Sequence, residues 1–294
     1  MTEYPEPAAA TKPRPRFSLK RVIWSLVRIV AAAYVASMAL VYLFQARLVY
    51  HPDKEVEMTP ARVGLGYEKV TLQTADGLRL GAWYVPAAEA CGTVLFCHGN
   101  AGNISYWLDL ARIHHRLGWN VLLFDYRGYG QSEGAPDEAG TYLDAEAAWR
   151  HLTEARGETP ARIVIHGQSL GGAVAAYLAS QHPAAGVILE STFTSVPDLG
   201  GDLLPWLPCR LLAAVRYDTL ARLGDIRGPK LFIHSREDRF IPFHHGEQLF
   251  AAAAEPKEFV EITGRHGDGY LTSRPLYDEK VGAFMARCGG KSGK

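Results

Sequence analysis

The chain has 294 residues, 48% hydrophobic and 21% charged, which is enough apolar material for one large α/β domain and carries no signature of disorder. Lys plus Arg and Asp plus Glu both number 31, which argues against nucleic acid as the main partner, since phosphate binding needs a basic surplus. Four cysteines exclude a disulfide scaffold, and no Cys/His cluster has zinc-finger spacing.

The zero net charge conceals an asymmetry. Residues 1–28 carry six basic side chains against Glu3 and Glu6, a net +4, so the remainder sums to −4. Residues 1–21 are rich in Pro, Ala and basic side chains without periodicity and read as a flexible tail. Residues 22–44 follow with one charge, Arg28. As a helix they would run about 35 Å, enough to cross a bilayer core. Arg28 can snorkel to the headgroups, and Trp24 and Tyr42 sit where interfacial aromatics belong. Two other readings are a buried core helix and a cleaved signal peptide, with small residues at Ser37 and Ala39. The apolar run continues past Ala39, and its basic, Pro-rich flank suits an anchor. The excess of basic residues before the span predicts a cytoplasmic tail and a main domain across the membrane.

Residues 45–66, with Pro52, Pro60, Gly64 and Gly66, read as a connector. From 67 to 288 strands alternate with helices. Residues 67–74 and 78–85 flank Asp76-Gly77, a hairpin signal. A strand at 93–97 runs into His98-Gly99-Asn100-Ala101-Gly102-Asn103, and a helix is predicted over 104–117, stopped by Gly118. A strand at 121–124 leads into a Gly-rich loop, 125–136. The next helix starts near Asp137 and places Ala145, Ala148, Trp149 and Leu152 on one face. Strands at 163–165, 187–189, 231–233 and 259–262 follow, with helices from 170 to 181, 243 to 254 and 271 to 286. Short apolar strands alternating with helices predict a mostly parallel central sheet covered on both faces. Residues 193–228 are Leu-rich and broken by Pro197, Pro205 and Pro208. Residues 289–294 read as a second flexible tail.

The pattern G-x-S-x-G occurs twice. Around Ser132 it lies inside a loop, with Pro136 close behind. Around Ser169 a strand runs straight into it and an Ala-rich helix starts at once. That sharp strand-to-helix turn lifts a serine hydroxyl above a sheet, and its flanking glycines avoid collisions across the turn. Ser169 is the candidate nucleophile and Ser132 a loop residue. A serine needs a base and an orienting acid, which in this arrangement follow it in the order acid, then histidine. Of 11 histidines, His266 lies in a loop after the last strand and is the candidate base. His244 and His245 begin a helix and read as surface residues. Asp238, in the loop after strand 231–233, is the candidate acid. Glu237 points elsewhere, Asp225 precedes the strand, and Asp268 reads as a loop cap. The backbone N–H groups of Leu170 and Asn100, with Ala101 as the alternative, are candidate donors to a developing oxyanion. The Gly99–Gly102 segment lacks the glycine spacing of a dinucleotide site. Nothing in the sequence points to a cofactor or a metal. The cysteines show no pairing logic, and Cys97 reads as a small buried hydrophobe.

The motifs HGNAGN, FDYRGYGQSEG, GQSLGG and HSREDRFIP resemble the α/β-hydrolase superfamily of serine hydrolases. Within it they resemble the branch of N-terminally membrane-anchored α/β-hydrolase-domain proteins, whose profiles are often labelled serine aminopeptidase or prolyl-oligopeptidase-like. A connector such as FQARLVYHP, residues 44–52, follows the anchor in that branch. The likeness covers about residues 42–286. It implies an α/β-hydrolase fold, the triad Ser169, Asp238 and His266, an oxyanion hole from Asn100 and Leu170, and a small cap insertion at 193–228 whose leucines either face an apolar substrate or hold the cap to the body. It also implies that Asp125 and Arg127 form a buried brace. Arg265 departs from the glycine that relatives often place before the base. The implied activity is hydrolysis of a small or lipid-like acyl ester or thioester through an acyl-enzyme. A serine peptidase on the same triad and a non-catalytic scaffold are the alternatives, and the oligomeric state is open.

Overall fold

The structure, a computed structural model, describes residues 18–289. The tails expected at 1–21 and 289–294 lie outside these residues, apart from 18–21 and Gly289. The chain divides into two compact units, residues 1–41 and 42–294. In the first, the described residues are dominated by the helix α1 (Leu19–Val49). It is long and apolar enough to cross a membrane, and its most apolar window is wholly unburied. The span expected at 22–44 falls inside α1, but the helix continues to Val49. Gln45, Ala46, Arg47 and Leu48 are good helix formers, and the first breaker is Pro52, which also disfavours helix at His51.

The second unit is built on eight strands: β1 (Glu68–Gln73), β2 (Arg79–Val85), β3 (Thr93–Cys97), β4 (Asn120–Phe124), β5 (Ile163–Gln168), β6 (Gly186–Glu190), β7 (Lys230–Ser235) and β8 (Lys257–Ile262). They form one sheet in the order β8-β7-β6-β5-β3-β4-β2-β1. The hairpin β1–β2 and the β2–β4 pair are antiparallel, and all other neighbours are parallel. Side chains alternate between two cores. Leu95, Leu122, Ile165 and Leu189 enter one, and Val94, Leu123, Val164 and Ile188 the other. The first core is covered by α3 (Glu138–Arg150), α4 (Leu170–Gln181) and α8 (His244–Ala252), the second by α2 (Leu108–Arg116) and α10 (Leu276–Cys288). Buried on both faces, the central strands are apolar throughout, which is why they read as short continuous runs.

Local chemistry accounts for several element ends. Asp137 caps α3, accepting from the Gly140 N–H, and Ala145, Ala148, Trp149 and Leu152 are all buried as expected. Two helices differ from expectation. The run at 104–117 begins as a 3-10 turn, Ile104–Trp107, before α2, because Asn103 caps it by accepting from the Ser105 N–H at 3.0 Å. The helix expected at 271–286 is instead α9 (Gly269–Thr272) and α10, with Pro275 between them. Proline lacks the N–H and its ring obstructs the preceding turn. The insertion after β6 contains α5 (Val196–Leu203), α6 (Cys209–Leu212) and α7 (Thr219–Arg222). Leu199 and Leu207 are buried and so hold the insertion to the body, whereas Leu203 and Leu211 are exposed.

Candidate active site

Ser169 stands where β5 turns into α4, with φ 54° and ψ −122°. A non-glycine residue there is strained, and such strain persists only where the surroundings overdetermine it. A Cβ at Gly167 would lie 2.1 Å from the Gly171 carbonyl oxygen, and one at Gly171 would lie 2.0 Å from that of Cys97. Only glycine permits this approach of the turn to itself and to β3. The Ser169 backbone is clamped as well. Its N–H donates to the Glu190 carbonyl at 2.9 Å. Its own carbonyl accepts from the Thr192 hydroxyl at 2.7 Å and the Gly172 N–H at 2.9 Å.

The structure joins the three residues singled out for nucleophile, base and acid. His266 Nε2 lies 2.9 Å from Ser169 Oγ, and His266 Nδ1 lies 2.7 Å from Asp238 Oδ2. The loops after β7 and β8 deliver the acid and the imidazole across 28 residues of sequence. Asp238 Oδ1 accepts from the N–H groups of Phe240 and Ile241, both at 2.9 Å. Burial opposes the Asp238 charge, but the hydrogen bond and charge of His266, with these two N–H donors, outweigh it and hold the carboxyl below its usual range. Asp238 therefore stays ionised, and its proton partner Nδ1 leaves Nε2 facing the serine as an acceptor.

The remaining candidates have structural partners. Glu237 accepts from the Gly264 N–H at 3.1 Å and Asp268 from the Arg265 N–H at 2.6 Å, so both shape the His266 loop. Asp225 ends a 3-10 turn before β7. Ser132 donates to the Asp125 carbonyl at 2.9 Å and accepts from the Gly81 N–H at 3.0 Å. Asp125 and Arg127 brace different elements: Asp125 accepts from the Ile104 N–H, whereas Arg127 forks onto Asp144 and reaches Asp76. All four cysteines are free, and Cys97 is buried.

The loop HGNAGN passes beside the serine: a Cβ on Gly99 would lie 3.4 Å from Ser169 Cβ. His98 Nδ1 lies 2.6 Å from the Gly99 carbonyl oxygen. Burial pushes the His98 imidazole down to about 4, so it is neutral and donates here. The Asn100 N–H belongs to that same planar peptide and points the opposite way from the Gly99 carbonyl. Leu170 opens α4, where the first N–H groups lack intrahelical acceptors.

His245 departs from expectation. It is buried, and its Nδ1 accepts from the Thr194 N–H at 3.2 Å. Asp202, His244 and His245 gather as a group that could hold a metal ion. With Nδ1 accepting, the neutral ring carries its proton on Nε2, which lies 2.9 Å from Asp202 Oδ2 but outside hydrogen-bond geometry. That tautomer does not suit a metal ligand, which would need Nε2 bare, and the bond that ties α8 to the insertion is the one from Thr194 to Nδ1. Sequence reasoning also missed Thr192 and Glu190. Glu190 lies buried among Tyr277, Gln168 and His166, with the Tyr277 hydroxyl at 2.6 Å. Gln168 and Glu190 are opposite one another in the β5–β6 register. A polar strand end beside the serine strand was the available signal.

A family model described as alpha/beta hydrolase fold matches residues 92–211. An uncharacterized protein of Mycobacterium tuberculosis is 41% identical over 273 residues, covering 91% of this chain and 97% of its own. The alpha/beta hydrolase domain-containing protein WAV2 of Arabidopsis thaliana is 39% identical, covering 83% of this chain and 88% of its own. The chain belongs to the α/β-hydrolase family. A Saccharomyces cerevisiae relative described as an uncharacterized membrane protein is 34% identical, covering 84% and 93%. The solved esterase Pf2001 of Pyrococcus furiosus superposes with a TM-score of 0.70 at 21% identity, over 82% of this chain and 98% of that one. At that identity the likeness concerns the fold, and the fold agrees with the sheet order and elbow described above. As an α/β-hydrolase the chain has a hydrolase scaffold, with Ser169 at its strand-to-helix turn.

Proposed function

We propose that this α/β-hydrolase is a membrane-anchored serine hydrolase that cleaves acyl esters or thioesters through a covalent acyl-enzyme. The observation that carries the reading is the bonded series Ser169–His266–Asp238 on a strained elbow. In this mechanism His266 Nε2 takes the Ser169 proton as Oγ attacks the substrate carbonyl carbon. The carbonyl π electrons move to oxygen, and the N–H groups of Asn100 and Leu170 hold that oxyanion. His266 then returns the proton to the leaving alcohol or thiol as its bond to carbon breaks. Water repeats the sequence on the acyl-enzyme and frees the acid. Asp238 keeps the imidazole in its tautomer and stabilises the imidazolium.

Two features support an apolar acyl group and a membrane setting. Phe240 is 44% exposed, with its ring centroid 5.2 Å from that of His266, so apolar surface borders the base. The helix α1 suits an anchor, with the basic tail cytoplasmic and the catalytic unit on the opposite side.

The test is fluorophosphonate labelling of membranes carrying wild type, Ser169→Ala or Ser132→Ala protein. A panel of p-nitrophenyl esters, acyl thioesters and aminoacyl amides accompanies it. Labelling and ester turnover lost in Ser169→Ala alone is the expected result. Labelling that survives Ser169→Ala would overturn the nucleophile, and turnover of amides but not esters would overturn the substrate class.

A further inference from the structure

The end of α1, the connector after it and the two asparagine side chains of HGNAGN have no part in the reaction written above, yet the structure joins them. Asn100 Nδ2 donates to the Val49 carbonyl at 2.7 Å. Asn103 Nδ2 donates to the carbonyls of Glu55 at 2.7 Å and Asp53 at 3.2 Å. In return the His51 N–H donates to the Asn100 carbonyl at 3.2 Å and the Asp53 N–H to that of Gly102 at 3.0 Å. His51–Pro52 thereby runs as a short parallel strand beside Ala101–Gly102.

The last turns of α1 and the connector together hold the cap. Gln45 Oε1 accepts from the N–H groups of Ala214 at 2.7 Å and Val215 at 3.1 Å. Tyr50 is buried, and its hydroxyl meets that of Tyr217 at 2.9 Å. The Tyr217 hydroxyl in turn meets Thr141 Oγ1 at 2.8 Å. The connector also reaches the loop after β4, where the Gly130 N–H donates to the Asp53 carbonyl at 2.8 Å.

These bonds bear on one N–H group. Two peptide planes meet at the Asn100 Cα, and each is planar and stiff. His98 Nδ1–H holds the first through the Gly99 carbonyl. The second is held through the Asn100 carbonyl, which accepts from the His51 N–H at 3.2 Å and from the Tyr129 hydroxyl at 2.8 Å. The first plane carries the Asn100 N–H itself, and the second, joined to it at the Asn100 Cα, limits how far the first can swing, so holding both sets the direction of that N–H. Without the connector the second plane keeps only Tyr129, in a segment flanked by Gly99 and Gly102, where the backbone is permissive. An oxyanion donor accelerates a reaction because its dipole is aimed beforehand and needs no reorganisation.

Taking the serine-hydrolase reading as its basis, we infer that residues 45–55 are a positioning strap that aims the oxyanion-hole loop, with His51, Tyr129 and the Asn100 side chain as its positioning groups. The end of the apolar helix and the segment that leaves it are thus a working part of the catalytic unit rather than a spacer.

The experiment uses the full-length protein in detergent micelles, as wild type, Asn100→Leu and Tyr129→Phe. Tyr129→Phe removes one oxygen and keeps the ring against Tyr126 and His98, so it guards against loss of the fold in Asn100→Leu. Hydrolysis of p-nitrophenyl butyrate gives kcat and KM. A trifluoromethyl ketone, which adds Ser169 Oγ to its carbonyl carbon and places an oxyanion in the hole, reports that hole directly. The expected result is a fall of about tenfold in kcat with little change in KM, and a matching loss of ketone affinity. Folded variants that keep wild-type kcat and ketone affinity while melting lower would overturn the inference and leave a purely structural strap. A wild type inert to both ester and fluorophosphonate would instead overturn the serine-hydrolase reading itself.

Discussion

Two stretches of this chain spell G-x-S-x-G, and they use their serines in opposite ways. At Ser132 the hydroxyl is consumed: it donates to Asp125, accepts from Gly81 and sits 2% exposed in a loop. At Ser169 the hydroxyl faces an imidazole on a backbone held at positive φ. The five letters match, but the flanking elements do not. The Ser132 pattern lies in the loop after β4, with Glu133 bonded back to Arg79. The Ser169 pattern joins a buried strand directly to a helix. A local motif thus specifies a turn, and its neighbours decide whether the strain serves chemistry or the loop serves stability.

The largest expected effect separates the two serines outright. Ser169→Ala should lower kcat for ester hydrolysis by at least about 10³-fold while leaving the melting temperature near wild type. Paired assays of turnover and thermal unfolding check this. A Ser169→Ala protein with appreciable turnover would return the nucleophile to another residue.

The next effect concerns the loop that holds Ser132. Burial raises the Asp125 carboxyl to about 7. The folded state therefore binds its proton more tightly than the unfolded chain. That stability is fully present below the ordinary aspartate range and is lost as pH rises toward 7, in total about 4 kcal/mol at most. Asp125→Asn keeps an acceptor for the Ile104 N–H and removes the titration. Urea unfolding between pH 5 and pH 8 should show wild type losing stability with a slope that the variant lacks. Parallel slopes would refute the assignment to Asp125.

Ser132→Ala comes third. It strips an acceptor from the Gly81 N–H and a donor from the Asp125 carbonyl, at a cost of about 1–3 kcal/mol in unfolding free energy. Fluorophosphonate labelling should stay at the wild-type rate. A variant that melts normally but labels slowly would make the loop a partner in catalysis and erase the contrast.

The contrast between the two serines is legible in the sequence because it rests on context within a few residues: an apolar strand, a glycine-bracketed serine, an Ala-rich helix. The order of Asp238 and His266 after Ser169 is legible for the same reason, since each follows a recognisable strand. Contacts across long stretches of chain are not. Asn100 meets Val49 across 51 residues, and the residue types involved are ordinary for a loop. His245 reads as exposed at a helix start, but its burial depends on the insertion folding back so that Thr194 meets it. The split between α9 and α10 is legible in principle from Pro275, whose missing N–H outweighs the apolar spacing around it.

The smallest effect tests how the elbow is held. Thr192 donates to the Ser169 carbonyl at 2.7 Å, and the Gly172 N–H shares that acceptor at 2.9 Å. Thr192→Val keeps the shape of the side chain and removes the O–H. The carbonyl retains one donor, so the fold should lose only about 1 kcal/mol. The elbow then relaxes from one side, and Ser169 Oγ drifts from the position set by His266. Because attack geometry and not substrate affinity is disturbed, kcat should fall by less than about tenfold with KM unchanged. Unchanged kcat with the predicted stability loss would show that the remaining backbone bonds to Glu190 and Gly172 and the close approach at Gly167 and Gly171 hold the strained serine without Thr192. Ser132, whose backbone carries no such strain, offers the control: removing its hydroxyl should alter stability and leave the chemistry at Ser169 untouched.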